Sequence, residues 1–401
     1  MLEYAGSQRA GITRRRGEAA ALGSVLRSLD WLLILGVAGL LAVGLWAVSG
    51  VTRFIVPGNP DYFLNRQIVY ACVGLLALAV ALVVDPDLYR RFWRPIYLST
   101  IGLIAVVLIA GRAARGSTRW IDVGFIKFQP SEFGKLLFVL AIAGFVADRA
   151  RGAADPSLTM RVLGLGAVPI LLVFAQPDLG TALVYAAALV AMLFVSGTPW
   201  RQLAVLGSLA ALLISVVLWI GPAVGVEFLH GYQKSRLTCF VHPQRCSVDA
   251  TYNLEQSIAA VGSGELNGRG VRNSTQVNLG FLPESQTDFV FAGFAEQRGF
   301  VGASVLLALY LLVLWRGLRI VTVARDLYSA IVAGGIVVAL LFQIFVNIGM
   351  TMGIAPITGI PLPFVSVGGS SMIANLAAVG VLLAIHGRGR VARNPRRWPR
   401  P

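Results

Sequence analysis

Charge is scarce in this sequence. Asp, Glu, Lys and Arg make up 13% of 401 residues, where an ordinary globular domain carries about 25%. Too few polar side chains remain to cover a sphere folded in water. A soluble multidomain enzyme, a disordered chain, a collagen and a coiled coil are therefore excluded. Only three cysteines are present, too few for a disulfide framework or a Cys-rich metal site. The three histidines, His230, His242 and His386, show no metal-ligand spacing. There is no Walker motif, no GxGxxG in a βαβ context and no HExxH. Lysine occurs only at 127, 135 and 234.

Apolar residues fill the space, at 56% of the chain. A transmembrane helix needs about 20 mostly apolar residues, because roughly 30 Å of hydrocarbon is crossed at about 1.5 Å per residue. Ten runs qualify, near 31–50, 67–84, 94–111, 133–148, 161–175, 179–197, 203–222, 299–315, 327–349 and 368–386. The fourth and fifth are short and flanked by proline. The first follows thirty polar or mixed residues and is long enough to span, so it reads as a membrane helix and not as a cleavable signal. The expected fold is all-α, a polytopic membrane protein with about ten transmembrane helices and both termini cytoplasmic. A basic tail (1–30) precedes a membrane domain (31–387), and a second basic tail (388–401) follows it. One large extracellular segment, 223–298, joins the seventh and eighth helices.

In a soluble protein the net charge of +15 would suggest nucleic acid. Here it first reports topology. With the N-terminus placed inside and the helices alternating, 21 of the 34 cations fall in cytoplasmic segments, as the positive-inside rule requires. The other 13 are unevenly placed: five lie between 112 and 135 and six between 230 and 298. These two outer segments also hold all the lysines. An anionic ligand at the outer face would account for them, although a long loop also translocates regardless of charge.

Four constellations carry chemistry. The first is GSTRWIDVGFIKFQPSEFGK, 116–135. Trp120, Phe125 and Phe128 suit a segment lying at the interface. Pro130 reads as the first residue of the fourth helix, with Glu132 in the first turn, where the helix dipole favours an anion. Glu132 and Lys135 are three apart and share a face, as a structural ion pair or as a pair lining a polar cavity. The second is QPDLGTA, 176–182, a tight turn in which Asp178 is positioned to cap the sixth helix.

The third constellation spans the large outer segment. Leu254, Ile258, Val261 and Leu266 follow a helical period that ends in a Gly-rich stop. Asp288 lies beside Phe289, Val290, Phe291 and Phe294. Desolvation there would raise its carboxyl pKa toward that of a useful general base, whereas the plainer reading is a loop Asp bonded to its own backbone. The fourth is NIGMTMGIAPITGIPLPFVSVGGSS, 347–371. Its prolines cannot continue a helix, yet it is apolar. Non-helical backbone at membrane depth must be buried in protein or line a cavity. The N–H groups at Gly368, Gly369, Ser370 and Ser371 open the last helix and are candidates for holding an anion. Cys239 and Cys246, seven apart in an outer loop, are candidates for a small disulfide. Cys72 reads as a packed apolar residue.

Together these motifs resemble the SEDS family (shape, elongation, division and sporulation proteins) over roughly residues 30–390. The resemblance rests on GSTRW with FQPSEFGK, QPDLGT, the Tyr232–Arg236–Phe240–Pro243 spacing, YNLEQSIAAVGSGELNGRG, LPESQTDFVFA and TGIPLPFVSVGGSS, in family order. Thr358, where the division-type pattern more often has Lys, makes the chain more similar to the elongation type. The resemblance implies a peptidoglycan glycosyltransferase polymerising lipid II at the outer face of the bacterial cytoplasmic membrane. A class B penicillin-binding protein would be its partner. The family's essential Asp matches Asp288, its Glu and Lys match Glu132 and Lys135, and Asp178 and Arg119 match further motif positions. Gln286 and Val367 depart from the pattern, which often has His and Tyr there.

Lipid II carries a pyrophosphate between a lipid and a disaccharide. On this reading Asp288 is the general base. Arg119, Lys135, Lys234 and Arg236 are cations available to the leaving pyrophosphate, and a divalent ion such as Mg or Mn near Asp288 is a further candidate. No tightly bound cofactor is expected. The competing classes are a lipid II flippase and a non-enzymatic scaffold. A transporter would place its site near the midplane between internal repeats. Here the acids gather at outer helix ends, and no repeat is evident.

Overall fold

Aspartate side chains cap five of the helices. The computed structural model describes residues 29–110, 112–114, 117–123, 126–149, 155–216 and 248–393. Within them the long helices are α1 (Trp31–Val51), α2 (Tyr62–Val83), α4 (Trp93–Ala110), α5 (Pro130–Ala147), α6 (Pro156–Phe174), α7 (Leu179–Val195), α8 (Trp200–Ser215), α12 (Val290–Val323), α13 (Leu327–Thr351) and α14 (Gly369–Arg393). Shorter helices are α3 (Pro86–Arg91), α9 (Val248–Ser263), α10 (Gly270–Asn273) and α11 (Thr275–Asn278). The side chains of Asp30, Asp85, Asp155, Asp178 and Asp326 accept from backbone N–H groups in the first turns of α1, α3, α6, α7 and α13. Each satisfies a donor that the helix leaves orphaned. Bonds from the Ser157 hydroxyl and N–H hold the Asp155 carboxyl below its ordinary pKa. Pro86, Pro130 and Pro156 occupy the opening positions of α3, α5 and α6, where the missing N–H costs nothing.

Each of the ten expected runs coincides with a helix among the described residues, the seventh as far as Ser215. Among the described residues seven helices are long and apolar enough to cross a membrane, and Trp93–Leu108 and Leu179–Val195 are shorter apolar helices. The chain is a multi-pass membrane protein. Leu76, Val83, Leu98, Phe194 and Leu311 are exposed, which is costly in water and expected against lipid. Cys72 is exposed on α2 among them, so its reading as a packed residue is corrected.

Helix pairing follows small residues. α14 lies along α2 and α1 along α12. A Cβ at Gly74 would fall 2.5 Å from Leu376, and one at Gly36 would fall 2.9 Å from Val313. Such positions let helix backbones approach closely in a membrane. α5, α13 and α14 are the most enclosed spans. Phe138, Ile142, Tyr185 and Met192 lie at the centre, all fully buried.

Two features depart from the expectation. Three strands, β1 (Arg112–Ala114), β2 (Ser117–Val123) and β3 (Ile126–Phe128), form a small antiparallel sheet and not a simple interfacial segment. The eighth expected span is also longer at both ends. Its helix α12 is broken at Gly299, where φ is 65° and ψ is −165°. The turn after α9 fills that break. Phe300 N–H donates to Glu265 O at 2.8 Å and Val301 N–H to Leu266 O at 3.1 Å. Backbone donors released by the break thus find neighbouring carbonyls, as an apolar environment demands. α9 itself is the amphipathic helix the sequence predicts, although Ile258 and Leu266 are exposed and Ser257 and Ala260 face inward.

Candidate active site

The first part of the site is the start of α5. Gln129 is extended, Pro130 opens the helix and Glu132 falls in the first turn. Lys135 Nζ donates to Glu132 Oε2 at 2.8 Å, with side-chain exposures of 9% and 1%. Glu132 Oε1 is buried and has no hydrogen-bond partner among the described residues. Burying two charges costs several kcal/mol per ion, about as much as their attraction returns. Stability alone therefore does not explain this pair. Its spare acceptor and the remaining ammonium protons are positioned for a polar guest.

Gln129 links this helix start to two others. Its N–H donates to Ser370 Oγ at 2.8 Å, at the start of α14. Its side-chain Nε2 reaches Ser131 Oγ at 3.2 Å and Asp178 Oδ2 at 3.4 Å. Asp178 is buried and caps α7, accepting from Thr181 N–H at 3.1 Å and Thr181 Oγ1 at 3.0 Å. The capping expectation for Asp178 holds. Gly180, just behind it, lies against Thr358 and Ile360 of the non-helical stretch before α14.

Asp288 occupies the last turn before α12 and is half-buried. Phe289, Val290, Phe291 and Phe294 enter the core, which leaves the carboxylate at the core's edge. Its backbone is pinned from three sides. Asn347 Nδ2 donates to Asp288 O at 3.0 Å and to Ile360 O at 2.7 Å. Ser366 Oγ donates to Thr287 O at 2.6 Å, and Val367 N–H to Gln286 O at 2.9 Å. Gln67 Nε2 of α2 in turn holds Ser366 O at 3.0 Å. The side chains of Gln286 and Thr287 both donate to Glu284 Oε2.

Residues 366–370 therefore bridge the two halves. One end bonds the turn that carries Asp288, and the other accepts from the residue before the helix that carries Glu132 and Lys135. Ser370, a candidate ligand from sequence, supplies that second bond. Gln129, Asn347 and Ser366 were not singled out by sequence. The available signal was a polar side chain in an otherwise apolar span, as at Asn347. Arg119 lies in β2, and β2 and β3 lead into α5. Lys234, Arg236, Cys239 and Cys246 lie outside the described residues.

Residues 27–390 match the family model described as Cell cycle protein, FTSW_RODA_SPOVE. The chain belongs to this family. It is 38% identical to the peptidoglycan glycosyltransferase MrdB of Escherichia coli (strain K12) over 350 residues, 86% of this chain and 92% of that one. It is 34% identical to the stage V sporulation protein E of Bacillus subtilis (strain 168) over 364 residues, 89% of this chain and 97% of that one. Among solved structures it resembles a chain described in the structural coordination of polymerization and crosslinking by a peptidoglycan synthase complex. The TM-score is 0.73 at 30% identity, covering 90% of this chain and 98% of the other. It also resembles the rod shape determining protein RodA of Thermus thermophilus, with TM-score 0.64 and 29% identity over 89% of this chain and 96% of that one. Within this SEDS family member the two positions that depart from the usual pattern touch each other, since Val367 N–H bonds Gln286 O. The contact is between backbones, so it survives the change of both side chains.

Proposed function

We propose that this chain is an elongation-type peptidoglycan glycosyltransferase that polymerises lipid II into β-1,4 glycan strands. The observation that carries the proposal is the joining of the Asp288 turn to the buried Glu132–Lys135 pair through residues 366–370. The likeness to MrdB and to RodA over most of the chain supports the activity and favours elongation over division. The positive-inside pattern supports a bacterial cytoplasmic membrane location with this site facing outward.

In the proposed mechanism the Asp288 carboxylate accepts the proton of the acceptor sugar's hydroxyl. That oxygen attacks the anomeric carbon of the donor as the bond to the pyrophosphate breaks. Attack from the opposite face inverts the α-linked donor to a β-glycoside. The leaving lipid pyrophosphate is anionic, and Lys135 and Arg119 are available to stabilise it, with Lys234 and Arg236 from the outer segment. Glu132 keeps the Lys135 ammonium oriented and Asp178 fixes the neighbouring helix start. A divalent cation beside Asp288 is compatible only in a limited form. Among the described residues no three His, Cys, Asp or Glu side chains group to hold a metal. An ion there would take most of its ligands from the pyrophosphate and water.

The likeness to a synthase-complex chain supports a class B penicillin-binding protein as partner, cross-linking the strands as they emerge. The purified protein, alone and with such a partner, should convert labelled lipid II into glycan polymer. A parallel liposome assay follows movement of lipid II across the bilayer. Translocation without polymer, with the partner present, would establish the flippase reading instead.

A further inference from the structure

At the opposite end of α5 from Glu132, roughly 25 Å along the helix at about 1.5 Å per residue, the fold holds a polar cavity. Its volume is about 420 Å³, and Arg91, Trp93, Arg94, Asp148 and Arg149 line it. This is within the ~300–1,000 Å³ range of ligand sites. It lies where α3 turns into α4 beside the C-terminal end of α5, the end on which the positive-inside pattern places the cytoplasm.

The cavity is built and not a chance gathering of surface arginines. Trp93 packs edge-on to Phe145 with ring centroids 5.5 Å apart, and its Nε1 donates to Asp148 Oδ2 at 3.2 Å. Arg90 Nε donates to the other oxygen of Asp148 at 3.1 Å. Asp148, the acid in the lining, is thus already engaged from two sides. The Arg149 guanidinium lies 4.1 Å from the centroid of the Phe145 ring and Arg94 lies 5.4 Å from that of Trp93. Arg149 Nη1 also donates to Phe145 O at 3.2 Å. Three guanidinium groups, those of Arg91, Arg94 and Arg149, each over an aromatic ring (Arg91 lies 6.0 Å from the centroid of Phe92), therefore converge on one concave opening, and among the described residues none of the three is paired with a carboxylate. On the same two helices and the turn between them, the apolar side chains of Leu88, Phe92 and Leu98 are exposed.

We propose that this cavity binds the phosphodiester headgroup of an anionic phospholipid in the leaflet on the α3–α4 side. Guanidinium forks match phosphate oxygens bidentately. A basic pocket between transmembrane helices at the cytoplasmic boundary fits a lipid headgroup. The exposed apolar side chains of Leu88, Phe92 and Leu98 on the same helices and the turn between them suit acyl chains that stay in the bilayer while the phosphate enters. This site is independent of the glycosyltransferase reading.

The test uses the purified full-length protein in nanodiscs containing phosphatidylglycerol and phosphatidylethanolamine. Native mass spectrometry after detergent extraction reads the lipid retained. The wild type should retain phosphatidylglycerol in preference. Arg94→Gln should reduce that retention several-fold, and the triple variant R91Q/R94Q/R149Q by about tenfold or more, since each cation is worth ~1 kcal/mol near such a surface. Arg319→Gln removes the same charge from an exposed position at the same end and should change nothing. Arg94 is exposed and among the described residues makes only a ring contact, so the single variant should fold if the triple does not. Equal retention of both lipids, or equal loss in the Arg319 variant, would overturn the proposal. Thermal stabilisation by inorganic phosphate alone, matching that by phosphatidylglycerol and lost in Arg94→Gln, would mark a free-anion site and overturn the lipid assignment.

Discussion

The side-chain amide of Asn347, near the C-terminal end of α13, donates to the backbone carbonyl of Asp288 at 3.0 Å. The same nitrogen holds Ile360 O at 2.7 Å. One buried amide thus ties the turn of the proposed base to the non-helical stretch that leads into α14. Asn347→Ala leaves both carbonyls short of a donor. Lost satisfaction costs about 1–3 kcal/mol, and a displacement near 1 Å at a reacting group can cost on the order of 100-fold in rate. Steady-state polymerisation should show kcat falling by that order with KM for lipid II little changed. A fall in stability with full kcat would show that Asn347 only packs.

The Glu132–Lys135 pair makes a second prediction, because it separates stability from chemistry. Lys135→Met leaves a buried carboxylate alone and should destabilise the protein by about 3–5 kcal/mol. Adding Glu132→Gln removes the stranded charge and should recover most of the melting temperature. Polymerisation should stay low in both variants. Recovery of activity along with stability would reduce the pair to a structural ion pair.

How far these relations were legible in the sequence depends on their span along the chain. The helices were legible, because a run of about 20 apolar residues has few other homes. Glu132 and Lys135 were legible, because a three-residue spacing and a preceding proline settle the local geometry. Asp178 was legible as a cap for the same reason. The anchoring of Asp288 was not. Its partners Asn347, Ser366 and Val367 lie 59 to 81 positions away, and nothing local announces them. The length of α12 was also hidden, because Gly299 breaks the helix while Glu265 and Leu266, from another segment, repair its hydrogen bonding. The sheet at 112–128 was missed because its strands are short and aromatic residues there suit an interface equally well.

Gly299 supplies a third prediction. Its φ of 65° is in the left-handed region, and a Cβ would press on the backbone of Leu266 and Gly268. Gly299→Ala should lower stability by about 1–3 kcal/mol and loosen the docking of α9. Hydrogen exchange should speed up at Phe300 and Val301. Unchanged exchange at those amides would mean that the break is not held by this contact.

At the other end of the bundle Arg316 clamps Asp30, with Nε and Nη2 bonded to the carboxylate and side-chain exposures of 8% and 1%. Asp30→Asn should strand a buried guanidinium and lower the melting temperature, at about 3–5 kcal/mol. Activity per folded molecule should be unchanged, because the pair is remote from Asp288. A selective loss of kcat would instead show coupling between the two ends.

The account rests most directly on the carboxylate of Asp288. Purified full-length protein, with its transpeptidase partner present, should polymerise labelled lipid II. Asp288→Asn keeps the shape of the side chain and removes the base. It should lower the rate by about 10²- to 10⁴-fold while lipid II still binds and the melting temperature holds. Polymerisation by Asp288→Asn at the wild-type rate would contradict the account.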